Sequence, residues 1–449
     1  MVHLDIEAIL AEIREALAEG DWDRATALIE VLRPPDQADV FEELLLAEQD
    51  QLLPQLELED SADILEELEE EKAAEVAARL PILELSHILN EMEPDEAADL
   101  LGDMKPERAA KALALLEEAE EIRPLLAHHD ESAGGLMTPA DVVLREDMTV
   151  EEAIDCLRAA APDTETVYYL FVVDDEERLA GVISLRQLVI APSHTYIKEI
   201  MDRDVIYAEA ATDQEDAARL MARYDLLALP VVDYNWHLLG VITHDDMVDV
   251  LDEEATEDIY RLGGVPEEQP ADVRIPTALR ARTPWLVLNL GTALTSATIL
   301  SLFEDTITRV AALAIFFPIV AGVSGSAGTQ TLTVTVRGLA LGELNPRDGL
   351  RALGRELLIG LTNGIAIGCL IALIALVWKG TPMLGIVVGL ATLLNMIGAA
   401  IAGALVPLGL QILRIDPALA SPILVTTITD ACGYLFYLGL ATLALGTLM

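Results

Sequence analysis

The chain has 449 residues, 77 of them acidic against 28 Lys and Arg, with a formal net charge of −49 and an apolar content of 52%. That length exceeds one ordinary domain, and the charge excludes nucleic acid and anionic lipid headgroups as electrostatic partners, leaving cations and basic proteins. Charge and apolarity are segregated: residues 1–275 carry 70 acids against 19 bases and residues 276–449 only 7 against 9, so the two ends belong in different solvents.

Two further compositional features bear on the setting. Only 5 Lys accompany 23 Arg, a balance that general adaptation to a salty cytoplasm would also produce, so acidity alone does not define a binding function. Cys156, Cys369 and Cys432 are too scattered for a disulfide framework or a zinc cluster and read as core thiols. The start, MVHLDIEAIL, is amphipathic with no basic n-region, so no secretory signal is expected and the first 275 residues should stay in the cytosol.

Residues 5–130 read as short amphipathic helices punctuated by Pro34-Pro35, Pro54, Pro81, Pro94, Pro106 and Pro124. Related phrases recur at Ala38-Asp39-Val40, Ala62-Asp63-Ile64-Leu65, Ala98-Asp99-Leu100-Leu101 and Ala110-Lys111-Ala112-Leu113. Such repetition predicts an all-α superhelix whose units bury each other's apolar stripes.

From about 136 to 254 the sequence is duplicated. Phe171-Val172-Val173-Asp174 with Gly181-Val182-Ile183-Ser184 returns 59 residues later as Pro230-Val231-Val232-Asp233 with Gly240-Val241-Ile242-Thr243, and Met201-Asp202 echoes Met137-Thr138. Each copy predicts strand, helix, strand, turn, strand, helix. The pattern resembles a tandem pair of CBS domains, which are regulatory modules, and that resemblance implies an adenosine-ribose contact at a Ser/Thr-x-x-Asp junction. The second copy keeps it as Thr243-His244-Asp245-Asp246, making Thr243 and Asp246 candidate nucleotide ligands and ATP a candidate cofactor of the pair, whereas the first has Gln187 where the acid would stand. An acidic helix around Leu251–Tyr260 follows, either a mechanical connector or a solvated linker, and leads through Gly263-Gly264 and the Pro266 to Pro270 stretch.

Five apolar segments, at about 284–303, 308–340, 355–378, 382–412 and 421–447, each suffice for a membrane span. Arg280, Arg282, Arg337, Arg347, Arg351, Arg355 and Arg414 fall on one side of them and only Arg309 and Lys379 on the other, which predicts a cytosolic N-terminal part and an external C-terminus. Within the spans, Gly322–Gln330, including Gly325, Ser326 and Gly328, is rich in glycine and hydroxyls. It is compatible with a broken backbone covered by protein or water or with close helix packing. Asn395, Ala399, Gly403 and Pro407 share one helix face, suited to a pore or to another helix. Asp430, after Thr426-Thr427, is a carboxylate at membrane depth and so either an ion site or a helix clamp. One carboxylate with neutral oxygens suits magnesium, which is reluctant to shed its waters, and a twofold axis would bring two copies of Asp430 to one ion.

Glu131–Thr138, Glu254–Ile259, Gly328-Thr329-Gln330, Asn395-Met396, Asp416-Pro417-Ala418 with Ser421, and Thr426-Thr427 with Asp430 and Gly433 resemble the MgtE-type magnesium channels or transporters along essentially the whole chain. The resemblance implies a multidomain membrane protein, a homodimer in membrane lipid and not an enzyme. It would comprise an all-α N-terminal superhelical domain (1–130), an α/β tandem CBS pair (131–254), a connecting plug helix (255–279) and a five-helix α transmembrane domain (280–449). It implies Asp430 as the pore carboxylate, with Asn395, Gly325, Ser326, Gly328 and Thr427 around the pore. It also implies regulatory magnesium at Asp63, Asp95, Asp99, Glu215, Asp225, Asp246, Asp249, Glu254, Glu257, Asp258 and Asp416, closing the pore when the cytosol is replete. One departure stands out: Ser324-Gly325-Ser326 replaces the family's Gly-Gly-Asn. The competing expectation is a proton-coupled transporter of another divalent cation, with CBS domains that sense nucleotide.

Overall fold

A computed structural model describes residues 6–117, 119–140, 142–160, 168–265, 273, 275–341, 344 and 349–448. Arg347 and the Pro266 to Pro270 stretch lie outside the described residues. The chain divides into two compact units, Met1–Leu251 and Asp252–Met449.

The first unit opens with short helices: α1 (Ile6–Glu19), α2 (Trp22–Ile29), α3 (Pro34–Glu42), α4 (Leu46–Leu52), α5 (Leu58–Glu66), α6 (Glu70–Arg79), α7 (Ile82–Leu89), α8 (Pro94–Asp103), α9 (Pro106–Leu113) and α10 (Ala119–Leu125). Prolines start them: Pro34, Pro94 and Pro106 occupy first-turn positions, where a missing N–H breaks no helical hydrogen bond. Alternate helices stack, α1 on α3, α3 on α5, α5 on α7 and α7 on α9, with α2, α4, α6 and α8 forming the companion row. This is the expected superhelix. Ala38, Ala62 and Ala98 are buried at its joints, but Ala110 is exposed and Ala112 takes the buried place, so the fourth phrase is shifted by two residues.

The duplication folds as two three-stranded sheets. In the first, β1 (Val143–Arg145) runs parallel to β2 (Tyr169–Val173), which pairs antiparallel with β3 (Leu179–Ser184). In the second, β4 (Ala208–Glu209), β5 (Ala228–Val232) and β6 (Leu238–Thr243) repeat that order. The helices are α11 (Val150–Ala160), α12 (Leu185–Ile190), α13 (Ile197–Ile200), α14 (Gln214–Tyr224) and α15 (His244–Leu262), in whose course the unit boundary falls.

The 59-residue offset extends to the hairpin turns. Asp174 Oδ1 accepts from the amides of Glu176 and Arg178, and Asp233 Oδ1 accepts from those of Asn235 and His237. Glu177 and Trp236 both take left-handed φ values, 61° and 71°. The Met-Thr and Met-Asp echoes are reciprocal braces. Thr138 bridges to Val241 beside Gly240, and Asp202 bridges to Val182 beside Gly181. A Cβ at Gly240 would lie 2.5 Å from the Thr138 carbonyl oxygen, and one at Gly181 would lie 2.9 Å from that of Asp202, so neither position admits a side chain. One continuous apolar core joins the superhelix to the second CBS half through Ala208, Met221, Leu229, Ile242 and Met247, whereas the first half has its own core around Leu144, Val172 and Ile183.

The second unit holds the end of α15 and then α16 (Ile275–Ser301), α17 (Glu304–Arg309), α18 (Ala312–Ala340), α19 (Gly349–Lys379), α20 (Pro382–Ile412), α21 (Pro417–Leu443) and α22 (Leu445–Leu448). Among the described residues α18, α19, α20 and Ser421–Leu443 of α21 are long and apolar enough to cross a membrane. The first long helix, α16, carries Arg280, Arg282, Asn289 and several hydroxyls and is not one of these four. Glycines set the packing. Gly368 and Gly389 meet backbone to backbone, a Cβ on either falling 2.7 Å from the other's carbonyl oxygen, and Gly385 approaches Ala372 equally closely. That stripe joins α19 to α20, and α20 in turn contacts α18 and α21.

Candidate cation sites

In the second unit, Thr427 and Asp430 lie on one stripe of α21, three residues apart, and both are partly buried. Asp430 forms no hydrogen bond or ion pair among the described residues, whereas the Thr427 hydroxyl is turned onto its own helix, donating to the Ile423 carbonyl at 2.6 Å. Asn395 on α20 is fully buried and its amide has no hydrogen-bond partner among the described residues. It meets α21 at Gly433, where a Cβ would stand 2.8 Å from Asn395 Nδ2, one turn beyond Asp430. A buried amide without a partner costs about 1–3 kcal/mol, so Asn395, one turn from that carboxylate at Gly433, is a polar feature that packing alone does not explain.

Of the two readings of Gly322–Gln330, the broken backbone is overturned and close helix packing holds: α18 runs unbroken through the stretch. Hydroxyls that could have marked a break return to their own helix instead, Ser326 donating to the Gly322 carbonyl at 3.0 Å and Thr329 to that of Gly325 at 3.2 Å. The small residues serve close packing. A Cβ on Gly328 would lie 3.1 Å from Thr429 and Val425 of α21 and 3.6 Å from Ala399 of α20, and one on Gly403 would lie 2.7 Å from the Gly328 carbonyl oxygen. Of the predicted pore set, Gly328 and Asn395 are therefore buried between helices. Gly325 has open space where its Cβ would be, and Ser326 is exposed.

At the foot of α21, Asp416 is the N-cap: its Oδ1 accepts from the Ala418 amide at 2.7 Å and its Oδ2 from Arg261 Nη1 at 2.6 Å. Arg261 also pairs with Glu257 one turn back on α15. Glu254, Glu257, Asp258 and Arg261 share a face of that helix by their spacing, and all are partly buried.

In the first unit the acids of the superhelix meet those of the second CBS half. Asp95 is buried, takes the Thr138 hydroxyl on one oxygen and leaves the other without a partner. Burial first and neighbouring carboxylates second raise the proton affinities of this cluster. Glu96 is pushed up to about 9 beside Asp95, Asp99 and Glu66, and Asp99 to about 8 beside Asp130, Asp95 and Glu70. Asp246 rises to about 6 through burial, held back by its bonds from Thr243 and raised further by Asp95. Asp63 is raised by burial and by Asp60 and Glu59, and Glu67 by burial and Asp249. Sequence reasoning singled out Asp63, Asp95, Asp99, Asp246 and Asp249 but missed Glu66, Glu70 and Glu96. The signal for Glu96 was its i, i+3 spacing from Asp99 on an amphipathic helix.

Two further predicted acids belong to α14 and its C-cap. Glu215 pairs with Arg219 on α14, and Asp225 ends that helix at a left-handed φ of 51°. Thr243 and Asp246 form an N-cap in which the carboxylate accepts from the Thr243 amide at 3.0 Å and its hydroxyl at 2.6 Å. The first half achieves the same with Ser184 and Gln187, so capping accounts for both pairs. Among the described residues no three His, Cys, Asp or Glu side chains stand close enough to hold an ion directly. The cluster is one of buried, mutually repelling carboxylates with one orphaned oxygen, Asp95 Oδ1, among the described residues, rather than a closed cage.

An acidic helical superhelix, a CBS pair and long apolar helices that carry, among the described residues, the unpaired carboxylate of Asp430 define a multi-pass membrane protein of the divalent cation transporter class. Family models match in the same order: the MgtE intracellular N domain at 32–131, CBS domains at 133–194 and 197–253, and the MgtE divalent cation transporter at 317–440. The chain belongs to the MgtE family. It is 43% identical over 327 residues to the magnesium transporter MgtE of Thermus thermophilus, covering 72% of each chain. With that of Enterococcus faecalis it shares 39% over 327 residues, 73% of this chain and 72% of the relative. The crystal structure of the cytosolic domain of the Mg2+ channel MgtE in complex with ATP matches with a TM-score of 0.51 and 41% identity, covering 54% of this chain and 99% of that one.

Proposed function

We propose that the chain conducts magnesium across the cytoplasmic membrane through a pathway lined by α21 at Asp430, and that cytosolic magnesium closes it. The carrying observation is Asp430 itself, partly buried in an apolar helix with no cationic side chain paired to it among the described residues. A carboxylate there is retained at a cost of a few kcal/mol unless a cation or water meets it. The polar Asn395 amide, which meets α21 one turn from Asp430 at Gly433, and the similarity to magnesium transporters support magnesium as that cation.

Closure is assigned to the acids of α8 and α15, with the superhelix (1–130), CBS pair (131–254) and connecting segment (255–279), which holds the end of α15 and the start of α16, acting as the governor of the membrane part (280–449). Asp95, Glu96, Asp99 and Asp246 would hold the regulatory ion, which supplies the positive charge that their mutual repulsion lacks. Absence of direct ligation geometry fits magnesium, commonly bound through its own waters. A homodimer places two Asp430 side chains about one axis, the N-terminal domains are cytosolic, the C-terminus is external, and ATP at Thr243 and Asp246 is a second input.

Magnesium uptake by proteoliposomes of the full chain tests the pathway. Asp430→Ala should abolish flux while the tryptic pattern of the cytosolic domains stays unchanged. Undiminished flux refutes the assignment, and flux that follows a pH gradient rather than magnesium favours the proton-coupled alternative.

A further inference from the structure

Asp416 has two carboxylate oxygens and both are engaged. Oδ1 holds the Ala418 amide at the start of α21, so Oδ2 is the oxygen left for a cation, and the Arg261 guanidinium occupies it at 2.6 Å while also pairing with Glu257. Side-chain exposures of 27% for Arg261, 30% for Glu257 and 31% for Asp416 place this triad in a partly screened setting where one charge matters. Arg261 Nε is buried without a partner among the described residues, so the guanidinium is held for its two carboxylates rather than satisfied all round.

We propose that Arg261 is an internal counterion that competes with the divalent cation for Glu257 and Asp416, and thereby sets the magnesium concentration at which the end of α15 locks onto the foot of α21. The inference rests on the gating reading above. A divalent ion that approaches Asp416 Oδ2 and Glu257 meets the positive guanidinium already seated between them, and the repulsion between the two cations opposes its binding until Arg261 moves aside. Arg261 therefore does two things at once. It joins the two elements at low magnesium, and it raises the concentration needed for the ion to take over.

The test is amide hydrogen exchange in the last turn of α15, residues 259–263, in the full chain titrated with magnesium against ionically matched sodium chloride. Arg261→Gln should speed exchange without magnesium and lower the midpoint of magnesium protection about two- to fivefold, the range for a partly exposed ion pair. Arg261→Lys should keep the wild-type midpoint, since the charge remains. In an Asp416→Asn background, Arg261→Gln should shift the midpoint no further. Exchange across β5 serves as the control for folding. A midpoint that Arg261→Gln leaves in place or raises overturns the role of Arg261, as does Arg261→Lys behaving like Arg261→Gln. A wild-type chain whose exchange ignores magnesium refutes the gating reading instead.

Discussion

Glu96→Gln isolates the cost of holding Glu96 protonated in the buried cytosolic cluster, because the amide keeps the side chain's shape and needs no proton at pH 7. Glu96 ionises near 4.5 in an open chain and near 9 in the folded one, through burial first and Asp95, Asp99 and Glu66 second. The folded state therefore holds the extra proton between those values, and stability falls as pH rises from about 4.5 toward 9. At pH 7 the gap from 4.5 is worth about 3 kcal/mol, and at pH 5 under about 1 kcal/mol. Glu96→Gln should consequently raise the exchange protection of α8 in chelator at pH 7 by up to about 3 kcal/mol, with little gain at pH 5, once intrinsic rates are corrected for pH. Saturating magnesium should shrink the difference, since positive charge in the cluster relieves the repulsive part of that cost. Equal gains at the two pH values, or a loss of protection at pH 7, would refute the electrostatic account of α8.

Other consequences are as direct. Thr243→Ala removes the hydroxyl that caps α15 through Asp246 and should lower the urea stability of the cytosolic domains by about 1 kcal/mol. The same change should raise the pH at which Asp246 ionises, measurable by NMR titration. Asn395→Leu deletes two buried atoms that lack partners and should raise thermal stability by up to about 3 kcal/mol while reducing magnesium flux; lowered stability would mean that the amide is satisfied within the protein. Gly389→Val forces a side chain into the Gly368 carbonyl, 2.7 Å from the nearest Cβ position, and should destabilise the α19–α20 pair by about 1–3 kcal/mol or more, read from its thermal midpoint in detergent.

What the sequence disclosed was set by the range of the interactions involved. The CBS duplication was legible down to its turns, because Asp174 and Asp233 act on amides two and four residues away. Helix starts in the superhelix were legible because proline acts on its own backbone. The run of glycine and hydroxyls in α18 was ambiguous because Ser326 and Thr329 satisfy carbonyls one turn back, a pattern compatible with an intact helix that composition alone does not distinguish from a break. Least visible were partnerships made by tertiary structure: Arg261 and Asp416 lie 155 residues apart, and Glu96 becomes exceptional only when folding buries it beside Asp95 and Asp99, with Glu66 and Asp246 adding to the effect.

The two groups of acids obey opposite rules, and that opposition is what a self-limiting cation pathway requires. In the cytosolic cluster many carboxylates are gathered where each disfavours ionisation of the next, so any gain from a cation is shared over several groups and can be spent on moving one element against another. Along α21 a single carboxylate stands among neutral neighbours, Thr427 and Gly433 on its own helix and Asn395 across the contact. On the proposed pathway, one such charge per chain would recruit a hydrated divalent ion without holding it in a closed cage, and an ion must leave a pathway as readily as it enters. Adding a second carboxylate on that stripe, as in Thr427→Asp, should therefore tighten ion binding and slow flux together; faster flux with tighter binding would show that release of the ion is not what limits conduction.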